Sequence, residues 1–149
     1  MKTTIKKIIG IGIAVLVGGF LLIQLVPYGR NHTNPPVVNE PNWDSPETLA
    51  LAQRACFDCH SNETTWPWYS NIAPVSWLVQ HDVEEGRQEV NFSDWGRGRE
   101  GERPGELAES LNEGEMPMAM FLVTHPDARL TAAEKEALIQ GFQATASNN

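Results

Sequence analysis

The sequence predicts an all-α chain led by one N-terminal membrane-spanning helix, and three observations carry that prediction. Residues 8–26, beginning at Ile8 and ending at Val26, read IIGIGIAVLVGGFLLIQLV, with Gln24 the only polar side chain. From Ser45 onward, apolar residues recur at three- and four-residue spacing between helix-capping residues. No stretch shows the two-residue alternation of a half-buried strand with comparable strength.

At ~1.5 Å of rise per residue the first segment crosses a hydrocarbon core of ~30 Å. A cleaved signal peptide has a similar basic start, but its apolar run is shorter and ends in a small-x-small site. This run ends in QLVPYGR, which has neither that site nor a lipid-accepting cysteine. An uncleaved anchor is therefore expected over residues 1–28. Lys2, Lys6 and Lys7 precede the span, so the positive-inside rule keeps them cytoplasmic and sends the rest of the chain across the membrane. Residues 29–44 are rich in Pro and Asn without any period and predict an extended tether, with His32 a solvated linker residue. Asn31-His32-Thr33 is a glycosylation acceptor only in a cell that glycosylates.

The folded domain is expected over residues 45–145. Ser45 is an N-cap followed by Pro46 at the first helical position, and good helix formers then run to the cysteines. A second helix is predicted within residues 73–90, with Val75, Leu78, Val79 and Val83 as its apolar stripe. A charged, Gly-rich break spans residues 96–105. A short helix follows with Leu107 and Leu111 on one face and Gly114 as its stop, and the last helix opens at the capping box Thr131-Ala-Ala-Glu134, with Leu138 and Phe142 repeating at four residues.

With 149 residues and 41% hydrophobic content, there is room for one ordinary domain and an appendage. Residues 30–149 keep 8 of the 11 basic residues against all 19 acidic ones. Such a surface repels nucleic acid and anionic lipid, and the basic GRGRE at 96–100 is offset at once by the acids that follow. No nucleic-acid partner is expected.

The chemistry concentrates in RACFDCHSNE, residues 54–63, which holds both cysteines, with His60 directly after the second. C-x-x-C-H admits a zinc half-site, a redox dithiol or covalent haem attachment. Zinc requires His81 or His125 to complete four ligands. A thioredoxin-like dithiol belongs at the start of a helix, where the dipole lowers the thiol pKa, whereas this pair closes one. In the haem reading Cys56 and Cys59 add to the two vinyl groups and His60 becomes an axial iron ligand, so all three residues acquire a role. An extracytoplasmic domain suits that attachment.

Five stretches, RNHTNPPVVNEPNWDSP, RACFDCHSNETTWPWYSNIAPVSWLV, NFSDW, GEMP and HPDARLTAAEKEALIQG, together resemble the bacterial haem-binding domain family of small, membrane-anchored, c-type cytochrome-like proteins. The resemblance covers residues 30–141 and implies a cytochrome-c-like haem domain with one haem c. It departs at GEMPMAMFLVTHP, where similar sequences tend to read Met-Pro-Pro followed by aromatics.

The resemblance also favours Met116 as the sixth iron ligand, since it follows a helix and precedes Pro117. Met118, Met120, His125, His81 and an open position are the alternatives, and gap-filling packing is the bland role of all three methionines. Trp66, Trp68 and Tyr69 are candidates to wall the haem or bond its propionates, or simply to pack. A backbone carbonyl within residues 67–74 is expected to accept from the His60 ring. The function expected is single-electron transfer with an unidentified redox partner rather than catalysis; a peroxidase-like enzyme or gas sensor with an open sixth position is the alternative.

Overall fold

The computed structural model describes residues 2–148. In chain order its helices are α1 (Lys2–Ile23), α2 (Pro46–Ala55), α3 (Phe57–His60), α4 (Val75–Glu89), α5 (Pro104–Glu113), α6 (Ala119–Thr124) and α7 (Ala132–Ser147), with 3₁₀ turns at Trp68–Asn71, Glu100–Glu102 and Pro126–Ala128. Among the described residues no strand forms beyond an isolated bridge between Asn39 and Asp94, so the all-α expectation holds.

The chain divides into two units, Met1–His32 with Trp66–His81, and Thr33–Thr65 with Asp82–Asn149. Helix α4 contributes its first half to one and its second half to the other.

In the first unit α1 is long and apolar enough to cross a membrane. The helix stops at Ile23, and Gln24, Leu25 and Val26 continue as a tight turn, three residues short of the end of the apolar run. His32, expected to be solvated, is half-buried: its ring stacks on Trp66 at 4.7 Å and its Nε2 lies 3.1 Å from the Ser70 carbonyl. Of the stripe predicted on α4, Val75 and Leu78 stay exposed.

In the second unit the predicted caps form. The Ser45 hydroxyl accepts from the Thr48 N–H, and Thr131 and Glu134 close a reciprocal capping box. The core joins Leu51 and Ala52 of α2, Leu111 of α5, and Leu138, Ile139 and Phe142 of α7 around a group of aromatic rings. Phe92 sits at the middle of that group, 5.4 to 5.9 Å from Trp43, Phe57, Trp95 and Phe142. Trp43 comes from the segment expected to be a tether. That segment is extended, as its prolines dictate, but its backbone is engaged: Val38 and Asn39 donate to the Ser93 carbonyl, and Trp95 donates to that of Asn39. Packing one large, half-buried indole against this core ties the stretch down.

Candidate haem site

Cys56 is the residue at which α2 ends, its N–H still bonded to the Ala52 carbonyl, and its non-helical backbone (φ −129°, ψ −34°) starts the single turn of α3. That break turns Cys56, Cys59 and His60 toward a cavity of about 320 Å³, within the ~300–1,000 Å³ of small-molecule and cofactor sites. The rest of its lining is apolar at depth, with Val90, Phe92, Leu107, Leu111, Phe121 and Phe142. Its edge is acidic, where Glu85, Glu89, Glu100 and Glu115 are exposed and Asp82 and Glu106 half-buried.

His60 is oriented by α4. Its Nδ1 lies 2.8 Å from the Gly86 carbonyl and 3.3 Å from that of Val90. A carbonyl only accepts, so Nδ1 carries the proton and the lone pair is on Nε2, the atom a metal takes. The expected acceptor within residues 67–74 is thereby corrected: the carbonyls come from α4 and the residue after it. Gly86 makes this approach possible, because a Cβ there would stand 2.6 Å from the Cys59 carbonyl oxygen and 3.1 Å from the Cys59 Cβ. Burial lowers the His60 pKa, opposed by the two carbonyl bonds, so the neutral ligating form prevails near neutrality.

The segment is held from behind as well. The Phe92 N–H donates to the His60 carbonyl at 2.8 Å. The Arg87 guanidinium donates to the carbonyls of Ser61 and Thr33, to Asn34 Oδ1 and to Thr64 Oγ1. Sequence reasoning missed both Gly86 and Arg87.

Both thiols are free, and burial pushes each up to about 12, helped by the neighbouring thiol at Cys56 and by Asp82 and then Asp58 at Cys59, where Arg87 opposes. A redox dithiol requires a lowered thiol pKa, and these environments raise it. Among the described residues no cluster of three or more His, Cys, Asp or Glu side chains is placed to hold a bare metal ion, which leaves the zinc reading without its remaining ligands.

Met116 and Met118 also line the cavity. Gly114 (φ +76°) ends α5, and the Ser110 carbonyl accepts from the N–H groups of both Glu115 and Met116, which ties the Met116 backbone to the helix end. Met118 is the N-cap of α6. Met120 is 70% exposed and lies outside the lining. His125 is outside it too; its ring stacks on Phe121 at 4.0 Å and its Nδ1 approaches Thr124 Oγ1. Trp66, Trp68, Tyr69 and His81 belong to the first unit and are not lining residues.

An imidazole with its Nε2 lone pair free, one thiol directly before it and another a turn earlier, and thioether sulfurs on the same apolar cavity make up the donor set of an iron porphyrin site rather than of a bare ion. The fold and cavity thus define a small all-helical haem-binding protein. The haem-binding domain family model matches residues 18–144, and the chain belongs to that family. No curated protein and no solved structure matches it.

Proposed function

We propose that the protein is a membrane-anchored, extracytoplasmic c-type haem protein on a cytochrome-c-like domain that carries single electrons. The observation that supports this best is the convergence of Cys56, Cys59 and the tautomer-fixed His60 on one cavity. In this reading a bound haem would supply a one-electron couple, ferrous to ferric, and the chain's residues would hold it where a reduced partner can give and an oxidised partner can take that electron. Cys56 and Cys59 would hold the cofactor through thioether bonds, each thiol S–H adding across one vinyl group. His60 ligates through Nε2, and the Gly86 and Val90 carbonyls fix its ring plane and increase its donor strength. The apolar depth of the cavity excludes water, while the acidic edge favours a partner with a basic docking face. Met116, on the same cavity lining, would supply a second protein ligand to that iron. The α1 helix anchors the chain, with Lys6 and Lys7 on the cytoplasmic side.

Purified chain, denatured and treated with acid-acetone, is expected to keep its haem colour on the polypeptide; colourless polypeptide would refute covalent attachment. A low-spin spectrum unchanged by carbon monoxide is expected of an electron carrier. Rapid conversion to a carbonyl adduct would instead favour a haem enzyme or gas sensor with an open position.

A further inference from the structure

Within the first unit, Trp68 is 76% exposed, Leu78 47%, Val75 41% and Ile72 38%, four exposed apolar side chains within residues 68–78. No Asp, Glu, Lys or Arg stands between Glu63 and Asp82, although the chain as a whole carries 19 acidic residues. The same unit fixes this segment against the exit of α1 at three points. Gln24, the first residue past α1, donates through Nε2 to the Ala73 carbonyl at 2.9 Å, and its Oε1 accepts from the Ala73 N–H at 3.0 Å. Gly29 is buried at φ +80° so close to α4 that a Cβ would fall 2.1 Å from the Ser76 carbonyl oxygen, a contact only glycine permits. His32 holds Ser70 and Trp66, as described above. Leu25 and Val26, 78% and 43% exposed, continue the apolar surface from the helix end.

We propose that Trp66–His81 is a membrane-contacting surface whose occupant is the headgroup–acyl boundary of the leaflet from which α1 emerges. The inference rests on the anchoring part of the function proposed above. If α1 spans the bilayer, Gln24 marks the depth at which the helix ends, and its paired bonds set Ala73 at that same depth. Ile72 and Val75 flank Ala73, and Trp68 lies one turn before Ile72. Tryptophan with aliphatic neighbours is the composition that settles at this depth, because the indole buries its ring while its N–H stays among polar groups. The segment carries no Asp, Glu, Lys or Arg to hold it out of the acyl boundary, and the nearby Arg30, which donates to Gln24 Oε1 at 3.1 Å, is a cation near a helix end of the kind that reaches to the headgroups. A water-soluble partner would have to reach a patch already level with the lipid, which makes the bilayer the fitting occupant.

The test uses the full-length holoprotein in phosphatidylcholine vesicles, with acyl chains either unmodified or brominated just below the headgroup. Haem quenches tryptophan equally in both lipids, so the ratio of the two emissions reports lipid contact. Wild type is expected to lose emission in brominated lipid, and Trp68→Phe to remove about half or more of that loss. Leu78→Lys, also at an exposed position, is expected to reduce the loss about twofold by lifting the segment. Vesicle flotation after a high-salt wash separates the two readings. Protein that floats but shows equal quenching in wild type and Trp68→Phe overturns the surface and leaves the anchor standing. Cross-linked dimers with unquenched Trp68 would assign the patch to a second copy and overturn it likewise. Protein that does not float overturns the anchor, and the surface with it.

Discussion

The motif segment and the methionine loop line the same cavity but are held in different ways. Cys56, Cys59 and His60 sit on a helix break clamped from outside by α4, by the Arg87 guanidinium and by the Phe92 N–H. Met116 and Met118 sit in the connection between α5 and α6, where the Ser110 carbonyl tethers the Met116 backbone and, among the described residues, no hydrogen-bonded clamp like that on His60 forms. A ligand that must be in place when the cofactor arrives belongs on the rigid segment. A ligand that tunes the iron afterwards, or yields to another, belongs on the loop.

The largest expected effect follows directly. Cys56→Ala with Cys59→Ala should abolish haem retention after denaturation, and His60→Ala should remove the low-spin spectrum, whereas Met116→Ala should leave covalently bound haem in full amount. Haem stain and absorption on the same gel-purified samples measure this. Equal haem loss in the loop variant would erase the contrast between the two segments.

Gly86→Ala sharpens the contrast. Replacing a mid-helix glycine by alanine gains about 0.5–1 kcal/mol in helix propensity, but forcing an atom to 2.6 Å from the Cys59 carbonyl costs about 1–3 kcal/mol. The clash wins, so the melting temperature should fall by several degrees and the His60 ligation should weaken with it. A variant as stable as wild type, with unchanged spectrum, would show that α4 does not position the ligand.

How much of this was legible beforehand follows the range of each signal. Helix ends were readable because their causes are local: Ser45-Pro46, Gly114 and the Thr131–Glu134 box each act within one turn. The motif was readable because Cys56, Cys59 and His60 are consecutive enough to share one turn. Partners at long range were not. Gly86 lies 26 residues beyond His60, and nothing in the local pattern ties the two. A glycine inside a helical run was the available hint. Trp43 looked like part of a tether because proline content reports extension and is silent on whether an extended strand is then covered. The stripe of Val75, Leu78, Val79 and Val83 is continuous in the sequence pattern, but it spans two units, and of the four only Val83 reaches near-complete burial.

For the loop, the contest is between two sulfurs. If Met116 binds, the ferric protein shows a weak far-red sulfur-to-iron band that Met116→Ala abolishes and Met118→Ala and Met120→Ala preserve. Loss of the band only in Met118→Ala would move the ligand two residues, which the shared cavity allows. A bis-histidine spectrum that survives Met116→Ala and collapses in His125→Ala would require the loop to rebuild, since His125 now stacks on Phe121 outside the lining.

The smallest effect concerns how the motif segment is supported from the surface. Glu134 at the start of α7 accepts from the Thr131 N–H and from the Arg54 guanidinium at 2.7 Å, and Arg54 lies in the last turn of α2, just before Cys56. The Thr131 backbone bond first, and then Arg54, lower the Glu134 carboxyl to about 2 from 4.5. A depressed carboxylate stabilises the fold above its unfolded pKa, and that contribution fades as pH falls through the folded one. Glu134→Gln should therefore lower the urea midpoint at pH 6 to 7, with the gap to wild type narrowing from about pH 4.5 downward and closing near pH 2. Both partners are partly exposed, so water screens the pair and the gap at neutrality should be small. Thr131→Ala removes the cap itself and should cost about 0.5–2 kcal/mol. If the Glu134→Gln gap instead stayed constant with pH, the contribution would be packing rather than charge. The clamp on the cysteine segment would then rest on the Gly86 and Val90 carbonyls, the Arg87 guanidinium and the Phe92 N–H.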